Sequence, residues 1–219
     1  MSKKKVAIVT GNFKGLGKAI SEKLIQEGYQ EPEIIRSKDF DLTKEEDCKK
    51  LIQKTTEKYG RLDLLVNNVG DYINKNISDF KAIDWKYLFD SNLNSAFYLS
   101  QLSIPELRKT KGRILNIGYA SMEKSDPYIN VTAYHAAKAA LLVYTKGLAK
   151  SEAPNGVLIN MLSPGYLENS VEFPSEGVEK GIPLKRACRL EEASEAAYFL
   201  INSNYITGQN LEIAGGWGL

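Results

Sequence analysis

Tyr134 and Lys138 have the clearest chemical potential in the sequence, within the segment Tyr134-His-Ala-Ala-Lys138. Residues four apart on a helix share one face, about one turn apart. A lysine ammonium beside a phenol favours the phenolate and lowers the pKa of the phenol from about 10 toward neutrality, as a general acid requires. An ordinary amphipathic helix can carry the same pair, so this pattern alone does not identify an active site. His135 faces away from Tyr134 and is expected to be a surface or interface residue.

A glycine-rich turn after the first predicted strand forms the second chemical feature. Gly11, Gly15 and Gly17 lie between the apolar run at 5–10 and a helical pattern that resumes at residue 18. Glycines let the backbone bend sharply and approach a ligand closely, and the N–H groups at the start of a helix attract an anion. The spacing differs from the usual dinucleotide and P-loop patterns. The turn is therefore either a phosphate-binding site or only a tight connection.

The segments that would position these residues alternate between strand and helix patterns. The second helix is expected to open with a capping box, Thr43-Lys-Glu-Glu46. Strands are predicted at 5–10, 33–36, 62–66, 113–116, 157–162 and 210–213, with an extended piece at 39–42, and helices from 18, from 43 to about 60, and at about 84–108, 132–150 and 191–201. This order predicts an α/β fold with a doubly wound, Rossmann-like parallel sheet covered by helices on both faces. The length of 219 residues and the 43% hydrophobic content fit a single domain, 1–219.

Polar and glycine-rich clusters follow four of the predicted strands, at 10–17, 67–70, 118–121 and 164–165. The carboxyl ends of parallel strands lie at one edge of a sheet, where ligands bind in open α/β folds. Loops after strands are often polar without any function. Four such clusters at one edge nevertheless favour a nucleotide site.

Charge and cysteine content exclude several other classes. The formal net charge is +2, from 29 basic and 27 acidic residues that are mixed throughout, so electrostatics indicates neither a nucleic-acid nor a membrane partner. Cys48 and Cys188 lack metal-ligand spacing and there is one histidine, so we expect neither a disulfide framework nor a metal site. The first apolar stretch is too short for a signal peptide or a membrane span. We expect a cytoplasmic protein.

Taken together, these motifs resemble the short-chain dehydrogenase/reductase family, in a shortened form, over nearly the whole chain. Each motif is modest, but their order and spacing are specific. The matching segments are Thr10-Gly11-x-x-x-Gly15-x-Gly17, Asn67-Asn68-Val69-Gly70 with one substitution, Asn92 in Ser-Asn-Leu, Tyr134-x-x-x-Lys138, Asn160 to Gly165, and Thr207-Gly-Gln to Gly215-Gly216.

The resemblance implies hydride transfer between a nicotinamide and a carbonyl or alcohol carbon. Tyr134 would donate the proton in the reductive direction, and Lys138 would hold the nicotinamide ribose and acidify Tyr134. Asn92 would anchor a water in the proton relay. The expected cofactor-binding set is Gly11, Lys14, Gly15, Leu16, Gly17, Arg36, Asp41, Leu42, Asn68, Gly70, Tyr134, Lys138, Pro164, Gly165 and Asn169.

The serine that holds the developing oxyanion in this family is ambiguous here. In the family it usually lies three residues after an asparagine like Asn116 and thirteen before the tyrosine. The first spacing leads to Tyr119 and the second to Ser121, because the intervening loop is about two residues longer than usual. We expect Ser121, with Tyr119 as the open alternative. Relatives that reduce pteridines carry an aspartate at this place, so a serine is not obligatory.

Other departures concern the cofactor. Between Gly28 and Asp41 there is no room for the usual helix, so the adenine side should be more open, with Asp41 and Leu42 flanking the adenine. The segment between Pro164 and Pro183 is short, so any substrate lid is small. The family's carboxamide-binding threonine is replaced by Asn169, which can make the same hydrogen bonds.

Charge indicates which nicotinamide cofactor is preferred. An acidic residue at the end of the second strand would repel a 2′-phosphate, but that end reads Arg36-Ser37-Lys38. Lys14 adds a second cation inside the glycine turn. We expect NADPH, unless Arg36 and Lys14 are merely solvated.

Three functions remain open from the sequence. The first is an NADPH-dependent carbonyl reductase, with 3-oxoacyl thioesters as the commonest substrates among similar family members. The second is a reductase of a pterin C=N bond, and the third is a sensor that binds NADPH without turnover. The helices around 96–107 and 136–148 carry more apolar and small residues than one buried stripe needs. The family resemblance implies that these helices pair between subunits, so we expect a homotetramer or homodimer.

Overall fold

The computed structural model of the chain describes residues 4–30, 39–124, 129–170 and 181–219. Helices and 3₁₀ or π turns separate the five strands of this described part. The strands are β1 (Ala7–Val9), β2 (Leu64–Asn67), β3 (Arg113–Ile117), β4 (Leu158–Pro164) and β5 (Asn210–Ile213). The α-helices are α1 (Gly15–Gln26), α2 (Glu45–Tyr59), α3 (Ala82–Phe89), α4 (Ser95–Thr110), α5 (Thr132–Glu152) and α6 (Leu190–Asn202), with a π-helix at Asp90–Asn94 and 3₁₀ turns at Ile77–Asp79, Met122–Lys124 and Ala153–Asn155.

All five strands run parallel in the order β1-β2-β3-β4-β5. Their side chains alternate between the two faces of the sheet, which gives a core on each face. Ala7 and Val9 pack with α1 and α6, whereas Ile8 packs with α2, α4 and α5. The predicted parallel, Rossmann-like sheet with helices on both faces is therefore confirmed.

Most element boundaries agree with the sequence pattern, and two local predictions are wrong. Residues 39–42 form no strand, and a turn begins at Leu42, where the Asp41 carboxylate accepts hydrogen bonds from the backbone N–H and the hydroxyl of Thr43. That hydroxyl is thereby removed from the predicted capping box. Helix α2 begins at Glu45 with Lys44 at its N-cap and no capping side chain among the described residues. The strand predicted at 33–36 lies outside the described residues.

The long helix predicted at 84–108 exists as three segments, α3, the π-helix and α4. A π-helix inserts one residue into the α-helical repeat and frequently occurs at functional sites. Here it contains Asn92, which is 1% exposed. The change in helical repeat therefore lies at a predicted site residue.

Candidate active site

The glycine turn between β1 and α1 has the geometry of an anion-binding loop. Gly11 and Gly15 adopt positive φ angles of 65° and 56°. A side chain at Gly17 would place its Cβ 2.5 Å from the carbonyl oxygen of Gly11, so the turn closes only with glycine there. Lys14 occupies the N-cap of α1 and no described side chain caps the helix. The first N–H groups of α1 are thus open to an anion.

Thr10 joins this turn to the end of β2. Its hydroxyl oxygen accepts hydrogen bonds from the backbone N–H groups of Asn68 at 2.9 Å and Val69 at 3.0 Å. The side-chain amide of Asn68 donates to the carbonyl of Thr10 at 3.0 Å. Because β1 and β2 pair in parallel register, Thr10 and Asn68 meet at the carboxyl edge of the sheet. The first two of the four predicted clusters therefore lie together.

Asn92 and Lys138 converge on Gly70. The side-chain amide nitrogen of Asn92 donates to the carbonyl oxygens of Asp71 and Leu88 at 2.8 and 3.0 Å. The other side-chain atom, Oδ1, is buried without a hydrogen-bond partner in the described structure. A Cβ on Gly70 would lie 2.3 Å from this oxygen and 3.1 Å from Nζ of Lys138. The structure thus brings together three residues that are 22 and 46 positions apart in the chain.

Lys138 is buried at 3% exposure, and its ammonium donates to the carbonyl oxygen of Ile117 at 2.8 Å. Burial lowers its pKa from the ordinary 10.5 to about 8. Its Nζ lies 5.8 Å from the ring centroid of Tyr134, as expected from residues one turn apart.

The expected lowering of the Tyr134 pKa is wrong for this structure. Burial raises the pKa of Tyr134 above its ordinary value of 10, and Tyr119 and Tyr72 add to the effect. The ring of Tyr134 lies 5.3 Å from that of Tyr72 and 5.7 Å from that of Tyr119, measured between centroids. Desolvation disfavours the phenolate and is the largest cause of the raised pKa.

Ser121 and Tyr119 have different surroundings. Ser121 has a positive φ of 65°, and its backbone N–H donates to the Glu212 carboxylate of β5 at 3.0 Å. Its hydroxyl oxygen is buried without a hydrogen-bond partner in the part of the chain described. Tyr119 stacks on His135 with centroids 4.2 Å apart and planes 14° apart.

His135 has intermediate exposure, and its expected place at the surface or at an interface stays a prediction. Its ring is partly buried against Tyr119, and burial lowers its pKa from 6.5 to about 4. The imidazole is therefore neutral at physiological pH. The stack on Tyr119 is a contact between two uncharged rings.

The end of β4 brings the last predicted cluster to the same edge of the sheet. The carbonyl of Pro164 accepts from the N–H of Ala120 at 2.9 Å, and the N–H of Gly165 donates to Ile213 at 3.1 Å. Asn169, expected at the carboxamide, has its side-chain amide against the glycine turn, because a Cβ on Gly15 would lie 2.7 Å from its Nδ2. The chain after β4 thus closes back onto the turn after β1.

The remaining predicted cofactor residues lie farther from this centre. Lys14 is exposed, with its ammonium 5.6 Å from the ring centroid of Phe13. The Asp41 carboxylate accepts a hydrogen bond from the Thr43 hydroxyl and pairs with the Lys44 ammonium at 3.1 Å. Both contacts lower the pKa of Asp41. The side chains of Leu16 and Leu42 are in the core, so only their backbones can face a ligand. Arg36 lies outside the described residues.

Two residues near the site were missed by sequence reasoning. Tyr72 lies two positions after Gly70 and is 47% exposed, with its ring edge against Tyr134. Its place directly after the asparagine-glycine segment was a signal that could have identified it. Glu212 bonds the Ser121 backbone from a strand 91 residues away, and no local pattern indicates such a contact.

The residues present fit a dinucleotide. The turn closes tightly because its glycines leave no room for a Cβ, and it presents the uncapped start of α1, where a diphosphate can accept hydrogen bonds from backbone N–H groups. Asn92 Oδ1 is a buried acceptor that lacks a partner in the described structure, and such a group normally bonds a ligand or water. No group of three or more His, Cys, Asp or Glu side chains within the described ranges could hold a metal ion. No helix there is long and apolar enough to cross a membrane.

The sequence model of a family described as enoyl-(acyl carrier protein) reductase matches residues 5–218. The fold, the glycine turn and the Tyr134–Lys138 pair agree with that match. The chain therefore belongs to the short-chain dehydrogenase/reductase family and is an NAD(P)H-dependent oxidoreductase.

Individual relatives align along nearly the whole chain. The chain is 34% identical over 241 aligned positions to the 3-oxoacyl-[acyl-carrier-protein] reductase FabG of Buchnera aphidicola subsp. Baizongia pistaciae, covering 97% of each. It is 29% identical to the acetoacetyl-CoA reductase of Acinetobacter sp. strain RA3849, covering 99% of this chain and 98% of the relative. The solved structure of ElxO with NADP bound has a TM-score of 0.87 at 26% identity, covering 98% of both chains.

Proposed function

We propose that the chain is an NADPH-dependent carbonyl reductase that acts on a ketone, with a 3-oxoacyl thioester as the favoured substrate class. The observation that carries the proposal is the convergence of Asn92, Lys138 and Tyr134 beside an open glycine turn. Two similar proteins are named for reduction of 3-oxoacyl or acetoacetyl thioesters, which supports the substrate class.

Tyr134 is the proton donor in this proposal. When bound, the nicotinamide supplies a hydride to the carbonyl carbon. The C=O bond becomes a C–O single bond, and the proton of the Tyr134 hydroxyl passes to the oxygen, leaving an alcohol and a phenolate. Because burial raises the pKa of Tyr134, the phenol carries this proton at neutral pH.

Lys138 stabilises the phenolate and orients the cofactor. With a pKa of about 8, its amine is mostly protonated at pH 7 and can donate hydrogen bonds to ribose hydroxyls. Its charge near Tyr134 then favours the phenolate that forms after proton transfer. Asn92 Oδ1 would accept a hydrogen bond from a water that restores the proton.

The choice of NADPH over NADH rests on positive charge around the turn. Lys14 is exposed at the N-cap of α1, where it can pair with a 2′-phosphate, and Arg36 is expected to add a second cation. The solved ElxO complex contains NADP, which supports this choice. The proposal includes a cytoplasmic location and assembly into a homotetramer or homodimer.

A pteridine reductase is the second candidate. Tyr72 and Tyr119 flank the Tyr134 ring within 5.3 and 5.7 Å, and Tyr72 is half exposed. Aromatic rings of this kind suit a flat heterocycle, because offset and edge contacts between rings are favourable.

Replacing Tyr134 with phenylalanine tests the function. NADPH consumption is followed by absorbance with acetoacetyl-CoA, a simple ketone and a dihydropterin as substrates. We expect turnover of acetoacetyl-CoA, and a fall in kcat of about 10²–10⁴-fold in Tyr134→Phe, because only the proton donor is lost. The Kd for NADPH should not change.

A Tyr134→Phe variant that keeps more than about a tenth of wild-type kcat contradicts the assigned donor. Turnover of the dihydropterin alone supports the second candidate. NADPH binding without consumption of NADPH on any of the three substrates indicates a sensor.

A further inference from the structure

Two hydroxyl groups follow β3, on Tyr119 and Ser121, and the structure separates their surroundings. The residue between them, Ala120, is fully buried and its N–H donates to Pro164 at 2.9 Å. This bond holds the loop against the end of β4. Side chains on either side of Ala120 are therefore fixed by different neighbours.

Ser121 is held from the side of β5 and the C-terminal segment. Its N–H is bonded to Glu212 of β5, and its φ of 65° lies in the left-handed region that serine seldom adopts. A Cβ built on Gly218 would lie 1.8 Å from the Ser121 hydroxyl oxygen, so this oxygen lies directly against the backbone of Gly218. The residue is 2% exposed. The Ser121 hydroxyl oxygen has no hydrogen-bond partner within the described residues, but unlike Asn92 Oδ1 it lies against the end of the chain, which encloses it.

Tyr119 is placed on the side of α5. Its ring stacks on His135, the residue directly after Tyr134, and its centroid is 5.7 Å from that of Tyr134. Unlike Ser121, Tyr119 is partly exposed. The two phenols are close enough that Tyr119 contributes to the raised pKa of Tyr134. The ring of Tyr119 thus carries a hydroxyl beside the proton donor on a partly exposed residue, whereas Ser121 is enclosed.

We propose that Tyr119, rather than Ser121, donates the hydrogen bond to the substrate oxygen during reduction, and that His135 is a positioning residue that holds the Tyr119 ring by stacking. The assignment rests on the proposed function. The Tyr119 hydroxyl keeps its own proton and stabilises the charge that develops on the oxygen, whereas Tyr134 transfers its proton to that oxygen. The neutral imidazole of His135 stacks without placing a charge beside the two phenols.

Two single substitutions test which hydroxyl acts. Tyr119→Phe keeps the aromatic ring and its stack on His135 but removes the hydroxyl, and we expect kcat with acetoacetyl-CoA and NADPH to fall about 10²–10³-fold. Ser121→Ala should leave kcat within about threefold of wild type, far below the loss expected for an oxyanion donor. Ser121→Gly removes the same hydroxyl and suits the positive φ, so it controls for misfolding of the alanine variant.

The positioning role of His135 has its own readout. His135→Phe keeps an aromatic ring under Tyr119 and should retain kcat, whereas His135→Ala should lower kcat about tenfold or more with an unchanged Kd for NADPH, because the catalytic hydroxyl is misplaced. Equal kcat values for His135→Ala and His135→Phe would overturn the positioning role.

The inference and the proposed function fail in different ways. Wild-type turnover that is lost in Tyr134→Phe supports the function, and the ratio of kcat between Tyr119→Phe and Ser121→Ala then decides the donor. A large loss in both serine variants with a nearly silent Tyr119→Phe overturns the assignment while the function stands. The assignment is also overturned if Tyr119→Phe and both serine variants keep wild-type kcat. A wild-type chain that turns over neither acetoacetyl-CoA, a ketone nor a dihydropterin overturns both.

Discussion

Replacing Gly70 with alanine is the most direct test of the site geometry. The added Cβ would lie 2.3 Å from Oδ1 of Asn92 and 3.1 Å from Nζ of Lys138, and the first distance is far below a van der Waals contact. The backbone of Gly70 does not need a positive φ, so the substitution introduces crowding without backbone strain. Any defect can therefore be assigned to displacement of the two side chains.

The crowding cannot be relieved cheaply. The Asn92 amide is held by Asp71, Leu88 and Ser91 at 2.8 to 3.1 Å, so moving Oδ1 breaks hydrogen bonds of a buried group. Overpacking of this kind destabilises a protein by about 1–3 kcal/mol. A displacement of about 1 Å in a catalytic site can lower turnover about 10²-fold. We expect kcat to fall about 10²-fold in Gly70→Ala. The free energy of unfolding should fall by no more than about 1–3 kcal/mol.

The assay combines initial rates of NADPH consumption on acetoacetyl-CoA with urea denaturation. Gly147→Ala is the matched control, because Gly147 lies inside α5 and a Cβ there meets nothing within 4 Å. That control should keep wild-type kcat and gain about 0.5–1 kcal/mol in the free energy of unfolding. If Gly70→Ala keeps kcat within about twofold of wild type, Asn92 and Lys138 do not act from the positions described here.

Two further predictions concern charge. Lys14→Ala should raise the Kd for NADPH about tenfold or more, because a charge-assisted hydrogen bond to the 2′-phosphate is lost, and should leave the Kd for NADH unchanged. Both Kd values are measured by fluorescence titration. An equal rise in the two Kd values would exclude Lys14 from the 2′-phosphate site. Between its folded pKa of about 8 and the ordinary 10.5, the amine of Lys138 binds fewer protons in the folded chain than in the unfolded one, so its contribution to the free energy of unfolding rises with pH over that range. Between pH 8 and 10.5, the free energy of unfolding measured by urea denaturation should rise less with pH in Lys138→Met than in the wild type. Equal slopes of this free energy against pH in the two proteins would contradict the lowered pKa of Lys138.

Strand positions were predictable because helices cover both faces of this parallel sheet, so its inner strands read as short, nearly continuous apolar runs. β5 was predicted at its observed bounds, and β3 differs from its prediction by one residue, at Ile117. β3 lies between Gly112 and Gly118, and β5 lies between Gln209 and the Ala214-Gly215-Gly216 segment, so glycines follow both strands closely. The turn that begins at Leu42 was not predicted, because the Asp41 carboxylate binds the backbone that follows and a propensity pattern does not contain that competition.

The proximity of Tyr134 and Lys138 was predictable from a local pattern, but the electrostatics of the pair was not. Tyr134 and Lys138 share one helix face by the helical repeat alone. The pKa of Tyr134 depends on burial and on the rings of Tyr72 and Tyr119, which come from loops after β2 and β3. Those contacts are tertiary, so a pair on one helix could not show that desolvation exceeds the effect of the lysine.

Residue counting locates a hydroxyl along a loop, but it does not determine which way the side chain points. Counting back from Tyr134 selects Ser121, yet the direction of Ser121 is determined by Glu212 and Gly218, which lie more than 90 positions later. The same loop residues, without the bond from the Ser121 N–H to β5, could adopt another backbone conformation. Glu212→Gln should weaken the bond from the Ser121 N–H, because the amide keeps an oxygen acceptor but loses the negative charge. The contact between Ser121 and Gly218 does not depend on that charge. Contacts with β5 and the C-terminal segment, which spacing from Tyr134 does not contain, therefore fix the position of Ser121.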